Sequence, residues 1–65
     1  MAYTTLIGEM AVRGVTQKSL ADTLNLHRNT VSYKLEVGSF SIEEAELIHS
    51  KHFPDYPMKE LFKKT

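Results

Sequence analysis

Arg28, Asn29, Ser32 and Tyr33 lie close together in a stretch whose aliphatic residues, Val31 and Leu35, are spaced i, i+4. On a helix that spacing turns Val31 and Leu35 to one face and leaves the four polar side chains on the others. The outward set is rich in donors and acceptors and has almost no aliphatic content. Its chemistry matches the edges of base pairs. A guanidinium can donate two hydrogen bonds to guanine O6 and N7, and a carboxamide can pair with adenine N6 and N7. Ser32 can donate or accept. Tyr33 can reach a base, a thymine methyl or the DNA backbone. Each is an ordinary surface residue when taken alone, and only the pattern carries the expectation.

Such a face needs a second element behind it. Thr16 is a good N-cap, and Leu20, Ala21 and Leu24 form one stripe over Gln17 to Leu24. Asn25 follows; it tolerates the left-handed conformation and can end the helix with a sharp turn. The next helix spans about Arg28 to Glu36. Leu20, Leu24, Leu26, Val31 and Leu35 then fill the angle between two short helices, with the small Ala21 where they cross. His27 is a weak N-cap for the second helix, which leaves it open to face a phosphate or a base. Gln17 and the free amides around it point at phosphate, as a helix N-terminus does. Lys34, Ser39 and the Phe40–Ser41 amides are candidates for the opposite phosphate strand. Lys18 is either a further phosphate contact or a solvated residue.

The residues Gln17, Leu20-Ala21, Asn25, Leu26 and Thr30-Val31-Ser32 resemble the helix-turn-helix of the phage Cro/repressor-type (XRE-like) DNA-binding family. The motif covers about residues 16–36, and the layout of helices around it matches the family over nearly the whole chain. Two residues depart from the pattern: Asn25 replaces the usual turn glycine, and His27 replaces the usual Ser or Thr cap. The resemblance implies a lambda-repressor-like domain that places its second helix in the major groove. It also implies a short Cro-like or repressor-like dimer from a phage or an integrated element.

The rest of the 65-residue chain reads as one all-α domain of about five short helices. A first helix spans about Thr5 to Arg13, with Leu6, Ile7 and Met10 inward, Thr4 or Thr5 as cap and Gly14 as stop. Gly8 within it reads first as a surface position and second as a close approach of backbones. Ser41-Ile42-Glu43-Glu44 is a capping box. The fourth helix it opens is expected to turn Ile42, Ala45 and Ile48 inward, with Leu47 nearby, and to break at Phe53-Pro54-Asp55. Pro57 suits the start of a last helix from Met58 to about Lys63, with Leu61 and Phe62 inward. No stretch alternates as a strand would.

Composition narrows the function classes. There is no cysteine, so disulfides, thiolate metal sites and thiol nucleophiles are excluded together. Eight basic and eight acidic residues cancel, which argues against a generic polycation but not against a local binding face. From Thr16 to Phe40, Lys18, Arg28 and Lys34 outnumber Asp22 and Glu36 by one. His49, His52 and Asp55, with Glu44 or Glu46, could in principle hold zinc. The helix break before Asp55 favours the plainer reading of histidines at a helix end. No Ser-His-Asp set, phosphate-cradling loop or paired carboxylates with a cavity is present, so a non-enzyme without cofactor or evident small-molecule ligand is expected. The chain has no apolar run long enough for a membrane span and no signal-peptide pattern. A cytoplasmic, bacterial location is the expectation.

The leading expectation is a sequence-specific regulator of transcription that binds double-stranded operator DNA. One such domain reads only a half-site, so a weak homodimer strengthened on DNA is expected. Phe53, Tyr56, Met58 and Phe62 exceed what so small a core needs, and they mark the C-terminal part for the dimer surface. The zero net charge and the run of Glu43, Glu44 and Glu46 motivate the alternative, a protein-interaction module on the same fold. A third reading is an architectural or excision accessory protein that bends DNA.

Overall fold

Helix boundaries follow from local chemistry at almost every junction. The computed structural model describes residues 2–64. It contains α1 (Thr4–Arg13), α2 (Gln17–Leu24), α3 (Arg28–Val37), α4 (Ile42–His52) and α5 (Met58–Leu61); among the described residues there is no strand. The Thr16 hydroxyl accepts from the Ser19 amide at 3.1 Å and starts α2. Ser41 and Glu44 satisfy one another's amides at the start of α4, a complete capping box. Left-handed residues close α1, α2 and α3 at Gly14, Asn25 and Gly38. Gly38 is doubly constrained: φ is +74°, and a Cβ there would lie 2.7 Å from the Ala2 methyl. Gly8 is exposed with open space beside it, as its surface reading anticipated.

The core runs through all five helices. Leu6, Leu20, Val31, Ile48, Phe53 and Leu61 are fully buried, each worth roughly 1.5–3 kcal/mol relative to exposure. The second helix packs against both α3 and α4, while α5 touches α1 and α4. Tyr3, Phe40 and Phe62 form an aromatic trio with centroids 5.5–6.4 Å apart, which seals the ends of the chain onto the loop after α3.

Several expectations need correction. The first helix begins at Thr4, and its N-cap residue is Tyr3, which supplies no side-chain cap because its ring is buried. Ile42 and Leu47 do not face inward; they are 77% and 50% exposed. At 3.6 residues per turn, Ile42 and Ile48 lie about 120° apart on the helix. A core-facing stripe set by Ala45 and Ile48 therefore leaves Ile42 outside. Leu24 is only half-buried. Phe53 is not surplus: it is the largest fully buried side chain, and Tyr56 and Phe62 pack against the core. The last helix stops at Leu61, with Phe62 as its C-cap residue.

Candidate nucleic-acid interface

Everything on the outward side of α3 depends on the turn before it. Asn25 adopts φ +56°, ψ +45°, and its amide bonds to the Ala21 and Asp22 carbonyls. The Leu26 amide follows onto Ala21 O at 2.9 Å. Three residues thus join α2 to α3, and Leu26 packs against the core from the turn. His27 is next, with extended backbone, and its Nδ1 accepts from the Asn29 amide at 3.0 Å. The imidazole is therefore the N-cap of α3. An accepting Nδ1 puts the ring proton on Nε2, so His27 offers a donor at the mouth of the helix.

Beyond the cap, Val31 is fully buried and Leu35 nearly so. Arg28, Asn29, Ser32 and Tyr33 are all exposed. Among the described residues none of their side chains has a hydrogen-bond or ion-pair partner. Thr30 is exposed beside them, about 100° round the helix from the buried Val31. Tyr33 is 66% exposed and Val37, one turn later, is 49% exposed, so the face becomes apolar toward the end of α3.

The flanking residues divide into available and committed groups. Gln17 is exposed at the first turn of α2, where the leading amides have no intrahelical acceptor. Lys18 sits 3.5 Å from Asp22, and both side chains are more than 70% exposed; such a pair is worth little and leaves the ammonium available. Lys34 is committed. Its Nζ lies 3.2 Å from Glu44 Oε1, with both side chains about three-quarters buried or more, and the same oxygen accepts from the Ser41 amide at 2.9 Å. Burial pushes the Glu44 carboxyl up, but the Ser41 amide and the Lys34 ammonium outweigh it and hold the group below its ordinary range. Lys34 thus ties α3 to the start of α4.

The loop amides expected to face phosphate are spent within the molecule. Ser39 N–H bonds to Lys34 O, Phe40 N–H to the Tyr3 hydroxyl and Ser41 N–H to Glu44. The Phe40 ring belongs to the aromatic trio. Only the hydroxyls of Ser39 and Ser41 keep protons to offer from this loop.

The histidines and aspartate weighed for zinc are held apart. His49 Nε2 donates to Tyr56 O at 2.6 Å. His52 Nε2 lies 2.8 Å from Thr23 Oγ1, whose own proton goes to Ser19 O, so the imidazole is the donor. Burial, with Lys51 nearby, lowers the His52 pKa. Asp55 forms a two-pronged pair with Arg13 at 2.7 and 3.1 Å. Among the described residues no three His, Asp or Glu side chains come within reach of one ion, and no helix is long and apolar enough to cross a membrane. Comparisons with protein-family models, with curated proteins and with solved structures give no match to this chain.

Proposed function

We propose that this chain is a sequence-specific double-stranded-DNA-binding regulator of transcription, a helix-turn-helix domain that reads operator half-sites with α3. The observation that carries the reading is the unpartnered polar face of α3, Arg28, Asn29, Ser32 and Tyr33, backed by the buried Val31. A B-DNA major groove about 12 Å wide admits one such helix. The first outward residues of a recognition helix touch base edges, and here those are Arg28 for guanine and Asn29 for adenine. Ser32 and Tyr33 extend the reading toward the middle of the helix. The Nε2–H of His27 suits an acceptor, either a phosphate or a base edge. Gln17 and the leading amides of α2 hold one phosphate strand with help from Lys18. Ser39 and Ser41 hold the other through their hydroxyls. Lys34 acts through position, keeping the loop after α3 in place.

The free guanidinium supports this reading more than net charge does. A face with few available cations predicts modest, salt-sensitive affinity, with much of the discrimination in base contacts. Two copies on a two-fold operator would supply the missing affinity. Selection from randomised oligonucleotides tests the proposal: a two-fold symmetric consensus is expected, with log K falling against log salt by about 0.9 per phosphate neutralised. No enrichment, or binding that ignores salt, would overturn it and favour a protein partner.

A further inference from the structure

Both ends of α3 carry the charge that its dipole disfavours. Arg28 is the first residue of the helix and Glu36 the last but one. A helix N-terminus favours anions and a C-terminus favours cations, so folding gains from neither. Glu36 is exposed, and among the described residues its carboxylate has no ion-pair or hydrogen-bond partner. Lys34, the basic residue of the last turn, is held by Glu44 instead. A free acid on a helix that meets DNA would also repel phosphate. Neither the fold nor the backbone of a duplex accounts for a glutamate here.

Its angular position does. Seven residues at 100° fall about 20° short of two full turns, so Glu36 lies almost in line with Asn29. Ser32 and Tyr33 lie between them, at i+3 and i+4 from Asn29. The four residues form one stripe turned away from the buried Val31 and Leu35, and all four are exposed. From Asn29 to Glu36 the helix rises about 10 Å, about three base-pair steps of roughly 3.4 Å. A helix that lays Asn29 on a base edge and runs along the groove therefore brings Glu36 over base edges too.

We propose that Glu36 is a further specificity-determining residue, and that its carboxylate accepts a hydrogen bond from the N4 amino group of a cytosine. The inference rests on the DNA reading of α3. An ionised carboxylate only accepts. In the major groove cytosine presents the N4 donor, guanine presents the O6 and N7 acceptors, and thymine presents the O4 acceptor and a methyl group. Glu36 thus rejects guanine and thymine by the same charge that selects cytosine. Adenine, with a donor at N6 beside an acceptor at N7, ranks between them. Arg28 and Glu36 then read opposite chemistry, a donor fork for guanine at one end of α3 and an acceptor for cytosine at the other. One external partner accounts for both of the charges that the helix itself disfavours.

Selection from randomised oligonucleotides, run in parallel on the whole chain and on Asn29→Ala, Glu36→Ala and Glu36→Gln, tests this. The unaltered chain should select a cytosine about three base pairs from the position that Asn29→Ala relaxes. Glu36→Ala should admit the other bases there, with preference for cytosine falling about tenfold, and should bind unrelated DNA more tightly because an anion is gone. Glu36→Gln should move the preference from cytosine to adenine, since a carboxamide pairs with N6 and N7. Melting curves should not fall in either Glu36 variant. A consensus that both variants leave as it was would overturn the inference and leave the DNA reading standing. So would a loss of affinity spread evenly over all sequences, which would assign Glu36 to the fold. No consensus for the unaltered chain would overturn the DNA reading, and this inference with it.

Discussion

The chain has two arginines, and they stand in opposite surroundings. Arg13 ends α1 with every prong in use: Glu9 at 3.3 Å, Asp55 at 2.7 and 3.1 Å, and the Phe53 ring 5.1 Å away. Arg28 opens α3 with none in use among the described residues. The Asp55 hydrogen bonds raise the Arg13 pKa, and Arg13 in turn holds the Asp55 carboxyl low. A guanidinium at a helix C-terminus also complements the dipole, whereas one at an N-terminus opposes it. Arg13 is therefore where folding would put an arginine and Arg28 is not. The difference separates a residue that closes the fold from one that the fold leaves unengaged.

The sharpest way to break this division is to remove the support beneath the free face. Leu20 is fully buried on the helix that braces both α3 and α4. Leu20→Ala should cost about 2–5 kcal/mol, much of the stability of a small domain, and should abolish DNA binding with the fold. Leu24→Ala, at a half-buried site, should cost distinctly less. Equal thermal midpoints for the two variants would contradict the burial pattern.

Next comes the arginine pair itself. Arg28→Ala should leave the melting curve unchanged and cost about 1–3 kcal/mol of discrimination at one base pair. Arg13→Ala should do the reverse, lowering the midpoint and leaving the ranking of binding sites intact. If Arg28→Ala left that ranking as it was, α3 would not be the reading element.

A smaller effect sharpens the boundary between them at His27, which belongs to both sides. Its Nδ1 caps α3 and its Nε2–H faces out. His27→Ala should lose the cap, about 1 kcal/mol by denaturation. His27→Ser should recover the stability but not the outward donor. DNA affinity that recovers fully with serine would assign His27 to capping alone.

What was legible in the sequence was local. The caps at Thr16 and Ser41 and the left-handed stops at Gly14 and Asn25 each depend on a few neighbouring residues, and each stands where expected. So does the division of α3 into a buried Val31–Leu35 stripe and an exposed polar face. The misread features depend on distant partners. Phe53 looked surplus until its place in the core was known. Lys34 looked free because Glu44 is ten residues away, and the Phe40 amide looked free because its acceptor is the Tyr3 hydroxyl. Ile42 fits the apolar spacing of α4 as well as Ile48 does; only the direction of packing distinguishes them. Sequence does not decide the cap of α3 for a related reason: histidine is a poor cap in general, and its success here depends on one ring orientation.

The smallest effect expected is the response of stability to acid, and it also divides the molecule. His52 joins α4 to α2 through Thr23, and burial, with Lys51, lowers its pKa. The folded chain therefore binds this proton less readily than the unfolded one. Stability from His52 is full above the unfolded value of about 6.5 and is lost as pH falls through the lower folded value. Glu44 and Asp55 are likewise held low, so their contributions persist to more acidic pH and are lost as it falls through their folded values. The midpoint should thus slip first as pH falls below about 6.5, by way of His52, and fall further once the carboxylates protonate, below about pH 4. His52→Gln keeps a donor for Thr23 without a titrating ring and should flatten only the first part. An unchanged slope there would mean that the link between α2 and α4 does not titrate, and that acid reaches the fold through Glu44 and Asp55 alone.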